Sequence, residues 1–194
     1  LSKEDLQNKV VMVRADLNVP LRAGEDRIMN DQRIKDLMPT IHYLMDKAAK
    51  IVVIGHVERK TYEGRTPISL APVAGKISEI LSEPVTFVGD TIGETAREVV
   101  SGLEPGSVAV LENVRLAGDD EGGDEELAAA LADMAEIFVM DDFVDAHLNL
   151  ASTVGIAKRV KTSVMGLLCE KEIKFLDEAV NNPERPFAAV VGRA

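Results

Sequence analysis

The chain has 194 residues, room for one sizeable hydrophobic core and the beginning of a second unit. Its 22 Lys and Arg stand against 33 Asp and Glu, a net charge of -11 that repels nucleic acid and anionic membrane, so a bound anion needs a local basic cluster. Trp is absent, which argues against stacking platforms for single strands, and a lone Cys169 admits no internal disulfide and points to a reducing cytoplasm.

The polar opening LSKEDLQNK carries no apolar core of a signal peptide, and no apolar run approaches membrane-spanning length. Val10, Val11, Met12 and Val13 form a run suited to a parallel strand buried on both faces. Arg14, Asp16 and Asn18 are polar groups expected in the loop leaving its carboxyl end, where Pro20 and Gly24 also indicate a loop. From Asp31 onward, Ile34, Leu37, Met38, Ile41, Leu44, Met45 and Ala48 recur at helical spacing, with Pro39 expected near the first turns. Ile51 to Ile54 is a second buried strand running into Gly55-His56-Val57-Glu58-Arg59, and Lys60 to Ile68 reads as a loop.

Ser69 can cap a helix through Val73, Ile77, Ile80 and Leu81, and Val85 to Val88 is a third strand. Thr91-Ile92-Gly93-Glu94 has the form of a capping box for a helix ending near Gly102. Pro105-Gly106 turns the chain into a fourth strand, Val108 to Leu111, followed by Glu112-Asn113-Val114-Arg115. Gly118 to Asp124 reads as a solvated acidic loop opening a helix from Glu125 to Met134. Ile137 to Val139 is a fifth strand leading into Asp141-Asp142. A short helix from Ser152 to about Val160, a longer one from about Glu170 to Val180, and a strand from Phe187 to Val191 complete the pattern. Strands alternate with helices, the signature of a doubly wound α/β sheet, Rossmann-like in three layers. The last strand reads as the opening of a further unit.

In such a sheet the loops after the strands emerge along one edge. Arg14, Asp16 and Asn18, then His56 and Arg59, then Arg115, then Asp141, Asp142 and His147 are thereby expected on a common rim. Arginines gathered on an acidic protein suit a phosphorylated or carboxylated small molecule, because guanidinium groups grip both bidentately. Each residue also has a plainer reading. Arg14 can be half of an ion pair, His56 a satisfied structural histidine, and Asp141 and Asp142 helix caps or hydrated carboxylates rather than Mg²⁺ ligands. Arg22 and Arg27 read as solvated surface. The first βα turn lacks G-x-G-x-x-G, no G-x-x-x-x-G-K-[ST] run is present, and no Cys/His spacing suggests zinc.

The segments VVMVRADLNVPL, NDQRI, GHVERK, ISLAPVAGKISEIL, FVGDTIGE, LENVRL, DDF, ASTVGIAK and EKEIKFLDEAVNNPERPFAAVVG resemble, in order, the amino-terminal half of phosphoglycerate kinase. The resemblance implies a cytoplasmic glycolytic enzyme that moves a phosphoryl group between 1,3-bisphosphoglycerate and ADP, giving 3-phosphoglycerate and ATP. It implies residues 1–168 as a phosphoglycerate-binding domain, 169–182 as an interdomain helix and 183–194 as the start of a nucleotide-binding domain. Mg²⁺ with ATP or ADP would then be held by that second domain, with no metal or nucleotide ligands in this chain. A monomer acting on a small molecule, with neither nucleic acid nor membrane as partner, is the expectation.

Carried over position by position, Asp16, Asn18, Arg33, His56, Arg59 and Arg115 match the family's substrate-binding residues. Arg33 matches the arginine that stabilises the phosphoryl in flight. Hinge closure, water exclusion and charge stabilisation would supply most of the catalysis. The substrate loops depart from the family. His-Leu-Gly-Arg-Pro is here His56-Val57-Glu58-Arg59-Lys60, and a substrate-binding arginine is Leu148. Glu58, Asp142 and Asp145 bring carboxylates toward the anion site, and Gly-Gly-Ala-Lys is here Gly192-Arg193-Ala194. An alternative is therefore a non-catalytic binding module with a decayed anion site.

Overall fold

The apolar runs pair into one sheet because strands covered on both faces have no polar side to turn outward. The computed structural model describes residues 1, 3–22, 25–61 and 64–190, with only the backbone described at 60 and 61. Its strands are β1 (Val10–Ala15), β2 (Lys50–Ile54), β3 (Glu58–Thr61), β4 (Gly64–Pro67), β5 (Val85–Val88), β6 (Val108–Leu111), β7 (Ile137–Asp141) and β8 (Thr162–Met165). Six of them form a sheet in the order β5-β6-β2-β1-β7-β8, and every neighbouring pair is parallel. β3 and β4 make a separate antiparallel ribbon. The helices are α1 (Gln32–Asp46), α2 (Ala71–Leu81), α3 (Glu94–Ser101), α4 (Val114–Ala117), α5 (Glu125–Asp133) and α6 (Leu167–Asn181).

Side chains alternate across the sheet and build two cores. Val11, Val13, Ile51, Val53, Val110 and Val139 pack under α1 and α2, against Ile34, Leu37, Ile41, Leu44, Val73 and Ile77. Met12, Val52, Ile54, Ala109, Leu111 and Phe138 face the other way, onto Ala96 and Val100 of α3 and Leu127 and Leu131 of α5. The three-layer α/β sandwich expected from the sequence is the observed fold. The chain leaves β1 for β2 on one side and later places β7 on the other. The order therefore reverses around β1, where a ligand crevice is expected at the carboxyl edge.

Several local expectations change. The stretch from Lys60 to Ile68 is mostly the β3–β4 ribbon, in register from Glu58↔Pro67 to Thr61↔Gly64, with Tyr62 and Glu63 outside the described residues. Its residues are polar on both faces, so no alternation marks it. β8 was not expected either; it is a short edge strand pairing with β7 from Ile137↔Thr162 to Met140↔Met165. Pro39 lies at the middle of α1 rather than in its first turns, and the helix stops at Asp46, before Ala48.

The capping box is not formed. Asp90 instead accepts from the Gly93 and Ala96 amides at 2.9 and 3.2 Å, and the Thr91 hydroxyl donates to the Glu112 carbonyl. Ser69 does accept from the Ala71 amide at the start of α2. The segment after Leu150 opens as a π-helical turn, Ala151–Gly155, before a single helical turn. Residues 187–190 carry no strand pairing and are exposed. Gly24, Val191, Gly192, Arg193 and Ala194 lie outside the described residues.

Candidate functional site

At the carboxyl edge of the sheet a cleft of about 970 Å³ is lined by Asp16, Asn18, Arg33, His56, Glu58, Arg59, Arg65, Arg115, Glu121, Asp145 and Leu148, among others. Asp16 and Asn18 leave the end of β1, and Asp16 Oδ1 accepts the Asn18 amide at 3.2 Å, which fixes the turn. Asn18 Oδ1 in turn accepts the Glu58 amide at 3.1 Å and so anchors the ribbon to the β1 loop. Arg33 stands in the first turn of α1 and pairs with Asp16. His56 follows Gly55, where a Cβ would sit 2.7 Å from the Ala15 carbonyl oxygen, so glycine allows the exits of β1 and β2 to approach. Arg115 is carried by α4. Asn113 caps that helix by accepting the Arg115 amide at 3.0 Å, and its Nδ2 donates to the Val57 and Ile68 carbonyls at 2.8 and 2.7 Å.

All six residues singled out from the sequence, Asp16, Asn18, Arg33, His56, Arg59 and Arg115, thus meet in one cleft although they span a hundred positions. Arg65 and Glu121 join them and were missed. Recognising the ribbon would have placed Arg65, since it pairs across from Lys60. Asp141, Asp142 and His147 do not line the cleft. Arg22 and Arg27 are exposed, as expected.

Arg14 is corrected most. It is the fifth residue of β1 rather than part of the loop, and it is fully buried. All five of its N–H donors are engaged. Nε donates to Ser152 Oγ at 3.1 Å, and Nη1 to the Ala15 carbonyl and Asp142, both at 2.7 Å. Nη2 donates to Asp145 at 2.9 Å and to His56 Nδ1 at 3.2 Å. A guanidinium cannot accept, so the network assigns His56 Nδ1 as the acceptor and leaves the proton on Nε2. Burial, and then the Arg14 charge beside the ring, lower the His56 pKa from 6.5 to about 3, so the ring is neutral at physiological pH. A neutral ring can offer an N–H donor to an anion but not a charge.

The paired aspartates are fully buried and engaged by protein groups. Asp141 accepts from the Thr40 hydroxyl at 2.5 Å and from the Cys169 amide at 3.1 Å, which makes it a remote cap for α6. Burial raises its pKa. Asp142 is fully buried against Arg14; burial raises its pKa while the guanidinium opposes the rise. Its charge and that of Asp145 therefore neutralise Arg14 rather than simply repelling a ligand. Burial also pushes the Cys169 thiol up to about 12, so it is no nucleophile. The acidic loop is only partly solvated: Asp120 is buried, with Oδ1 accepting the Ser152 amide at 2.8 Å.

The cleft's arginines are not bare. Arg33 pairs with Asp16, Arg59 with Asp26 at 3.2 Å, and Arg115 with Glu58 and with Glu121 at 2.9 Å. Arg65 lies 3.8 Å from Glu58. The site is a basic cluster with its own carboxylates among the cations. Leu148 contributes an apolar patch to the wall.

A family model described as "Phosphoglycerate kinase" matches residues 1–194, the whole chain. A phosphoglycerate kinase from Clostridium perfringens is 43% identical over 195 residues, covering 98% of this chain and 49% of that protein. One from Enterococcus faecalis is 45% identical over 195 residues, with 98% and 49% coverage. The cytosolic phosphoglycerate kinase 3 of Arabidopsis thaliana is 45% identical over 193 residues, with 99% and 47% coverage. The crystal structure of phosphoglycerate kinase from Pyrococcus horikoshii OT3 superimposes with a TM-score of 0.85 at 34% identity, covering 96% of this chain and 46% of that one. The chain spans about half the length of the curated relatives it matches. With the whole sequence matched and the six-stranded parallel sandwich shared, the chain belongs to the phosphoglycerate kinase family.

Proposed function

We propose that this chain is the phosphoglycerate-binding part of a phosphoglycerate kinase, which transfers a phosphoryl group reversibly between 1,3-bisphosphoglycerate and ADP. The observation that carries the reading is the meeting of Asp16, Asn18, Arg33, His56, Arg59 and Arg115 in one cleft at the reversal point of the sheet. In this reading Arg59, Arg65 and Arg115 hold the phosphate and carboxylate, and His56 donates from Nε2. Asn18 and Asp16 orient polar groups of the substrate. Arg33, with its side chain 44% exposed at the mouth of the cleft, steadies the phosphoryl as it transfers. Nucleotide and Mg²⁺, which supply the phosphoryl group and its charge neutralisation, belong in this reading to the half of the enzyme beyond this span. The polar groups here suit that division, because Asp141 and Asp142 are already engaged by Thr40, Cys169 and Arg14.

Residues 1–168 form the substrate domain in this reading, 169–182 the interdomain helix and 183–194 the start of the nucleotide domain; α6 itself begins at Leu167. The protein acts as a cytoplasmic monomer on small molecules. Among the described residues no helix is long and apolar enough to cross a membrane. Calorimetric titration with 3-phosphoglycerate tests the reading, and saturable heat is expected. Absence of binding at millimolar ligand would favour the second reading, a non-catalytic module, to which the carboxylates paired with the cleft's arginines lend support.

A further inference from the structure

Among the carboxylates of the cleft, Glu58 is unlike the others. Asp16 is committed to the Asn18 amide as well as to Arg33, Asp145 to the buried Arg14, and the Glu121 side chain is 67% exposed. Glu58 has a side chain only 8% exposed, and its charge is met by two cleft arginines, Arg115 through Oε1 and Arg65 at 3.8 Å from Oε2. The seating is incomplete. Glu58 Oε2 and Arg115 Nε are both buried and without a hydrogen-bond partner among the described residues. A guanidinium can grip a phosphate or carboxylate bidentately through Nη1 and Nη2, or through Nε and Nη2. Glu58 meets Arg115 through one oxygen at Nη1, the exposed Glu121 takes Nη2 at 2.9 Å, and neither carboxylate grips the guanidinium bidentately.

We infer that Glu58 is a resident competitor for the anion seat of this cleft: a ligand phosphate or carboxylate binds by displacing the Glu58 carboxylate from Arg115. Affinity is then set by an exchange of one anion for another rather than by the capture of free cations. The exchange favours ligands with more oxygens than a carboxylate has, since these can engage Nη1 and Nη2 of Arg115 together and reach Arg65 as well. The choice of a phosphorylated carboxylate as ligand rests on the function proposed above; the competition itself requires only an anion.

The test is calorimetric titration of the full chain and its Glu58→Gln variant, at one ionic strength, with inorganic phosphate and separately with 3-phosphoglycerate. Gln is isosteric and still offers Arg115 an acceptor. The variant is expected to bind phosphate about tenfold more tightly or better, the scale of one charge-assisted hydrogen bond regained. The phosphate-induced rise in melting temperature should grow with it. Glu58→Gly, which removes the carboxylate outright, should show the same gain. Equal or weaker phosphate affinity in the variants, no phosphate binding by any form, or failure of both variants to fold would overturn the inference; failure to fold would make Glu58 a structural ion-pair partner. If phosphate binding tightens as expected while 3-phosphoglycerate binds no better than phosphate in any form, the competition stands and the phosphoglycerate reading falls.

Discussion

Replacing Arg14 by Met would remove the one cation that two buried aspartates share. Arg14 and Asp142 are fully buried and Asp145 nearly so, and the guanidinium uses all five donors on five different acceptors. Breaking a buried ion pair from one side costs about 3 to 5 kcal/mol, because an unpaired charge remains in a medium that cannot solvate it. A domain of this kind has about 5 to 15 kcal/mol of stability in total. With a urea dependence of about 2 kcal/mol per molar, the unfolding midpoint of Arg14→Met should fall by roughly 2 M. Urea unfolding followed by circular dichroism measures this. Adding Asp142→Asn and Asp145→Asn to the same chain should restore much of the loss, since the penalty lies in the orphaned charges and the three sites are strongly coupled. A drop below about 1 kcal/mol for Arg14→Met alone would refute the account of this network.

Three further outcomes follow from the same geometry. His56 binds its proton more weakly folded (about 3) than unfolded (6.5), so the unfolded state gains protons first as pH falls. Stability should decline below pH 6.5 by about 1.4 kcal/mol per unit, near 2 kcal/mol by pH 5. Asp141 and Asp142, with raised values, act in the opposite sense over the carboxylate range, so the readout is the difference from His56→Asn, which keeps an acceptor for Arg14 and should lose this slope; parallel profiles would contradict the assignment. Asn113→Ala strips two carbonyls and one amide of their partner in a fully buried place and should cost about 2 to 4 kcal/mol in thermal or urea unfolding. Leu148→Arg adds a cation to the cleft wall and should tighten 3-phosphoglycerate binding by about tenfold; unchanged affinity would show that this position does not limit it.

The layers were legible because buried parallel strands leave unbroken apolar runs: Val10 to Val13, Ile51 to Ile54 and Val108 to Leu111 read directly from the chain. Topology groups Asp16, Asn18, His56, Arg59 and Arg115, which do line the cleft, but also Arg14, Asp141, Asp142 and His147, which do not; Arg33 is placed only by the family resemblance. What stayed hidden depended on partners distant in sequence. Arg14 looked like a loop residue because nothing adjacent to it neutralises a buried charge; its partners Asp142, Asp145 and Ser152 lie about 130 positions away. The β3–β4 ribbon was missed because Glu58 to Thr61 and Gly64 to Pro67 carry no apolar alternation, and β8 because an edge strand of four residues carries too few apolar positions to set a period. Asp90 displaced the expected Thr91 cap because its carboxylate reaches two amides where a hydroxyl would serve one.

Asp141 is bonded on one side to Thr40 of α1 and the base of α6, and along the backbone it adjoins Asp142, which holds Arg14. The base of α6 and the His56 edge of the cleft therefore draw on one buried polar network, while Phe175, Leu176 and Val180 stand exposed farther along the helix.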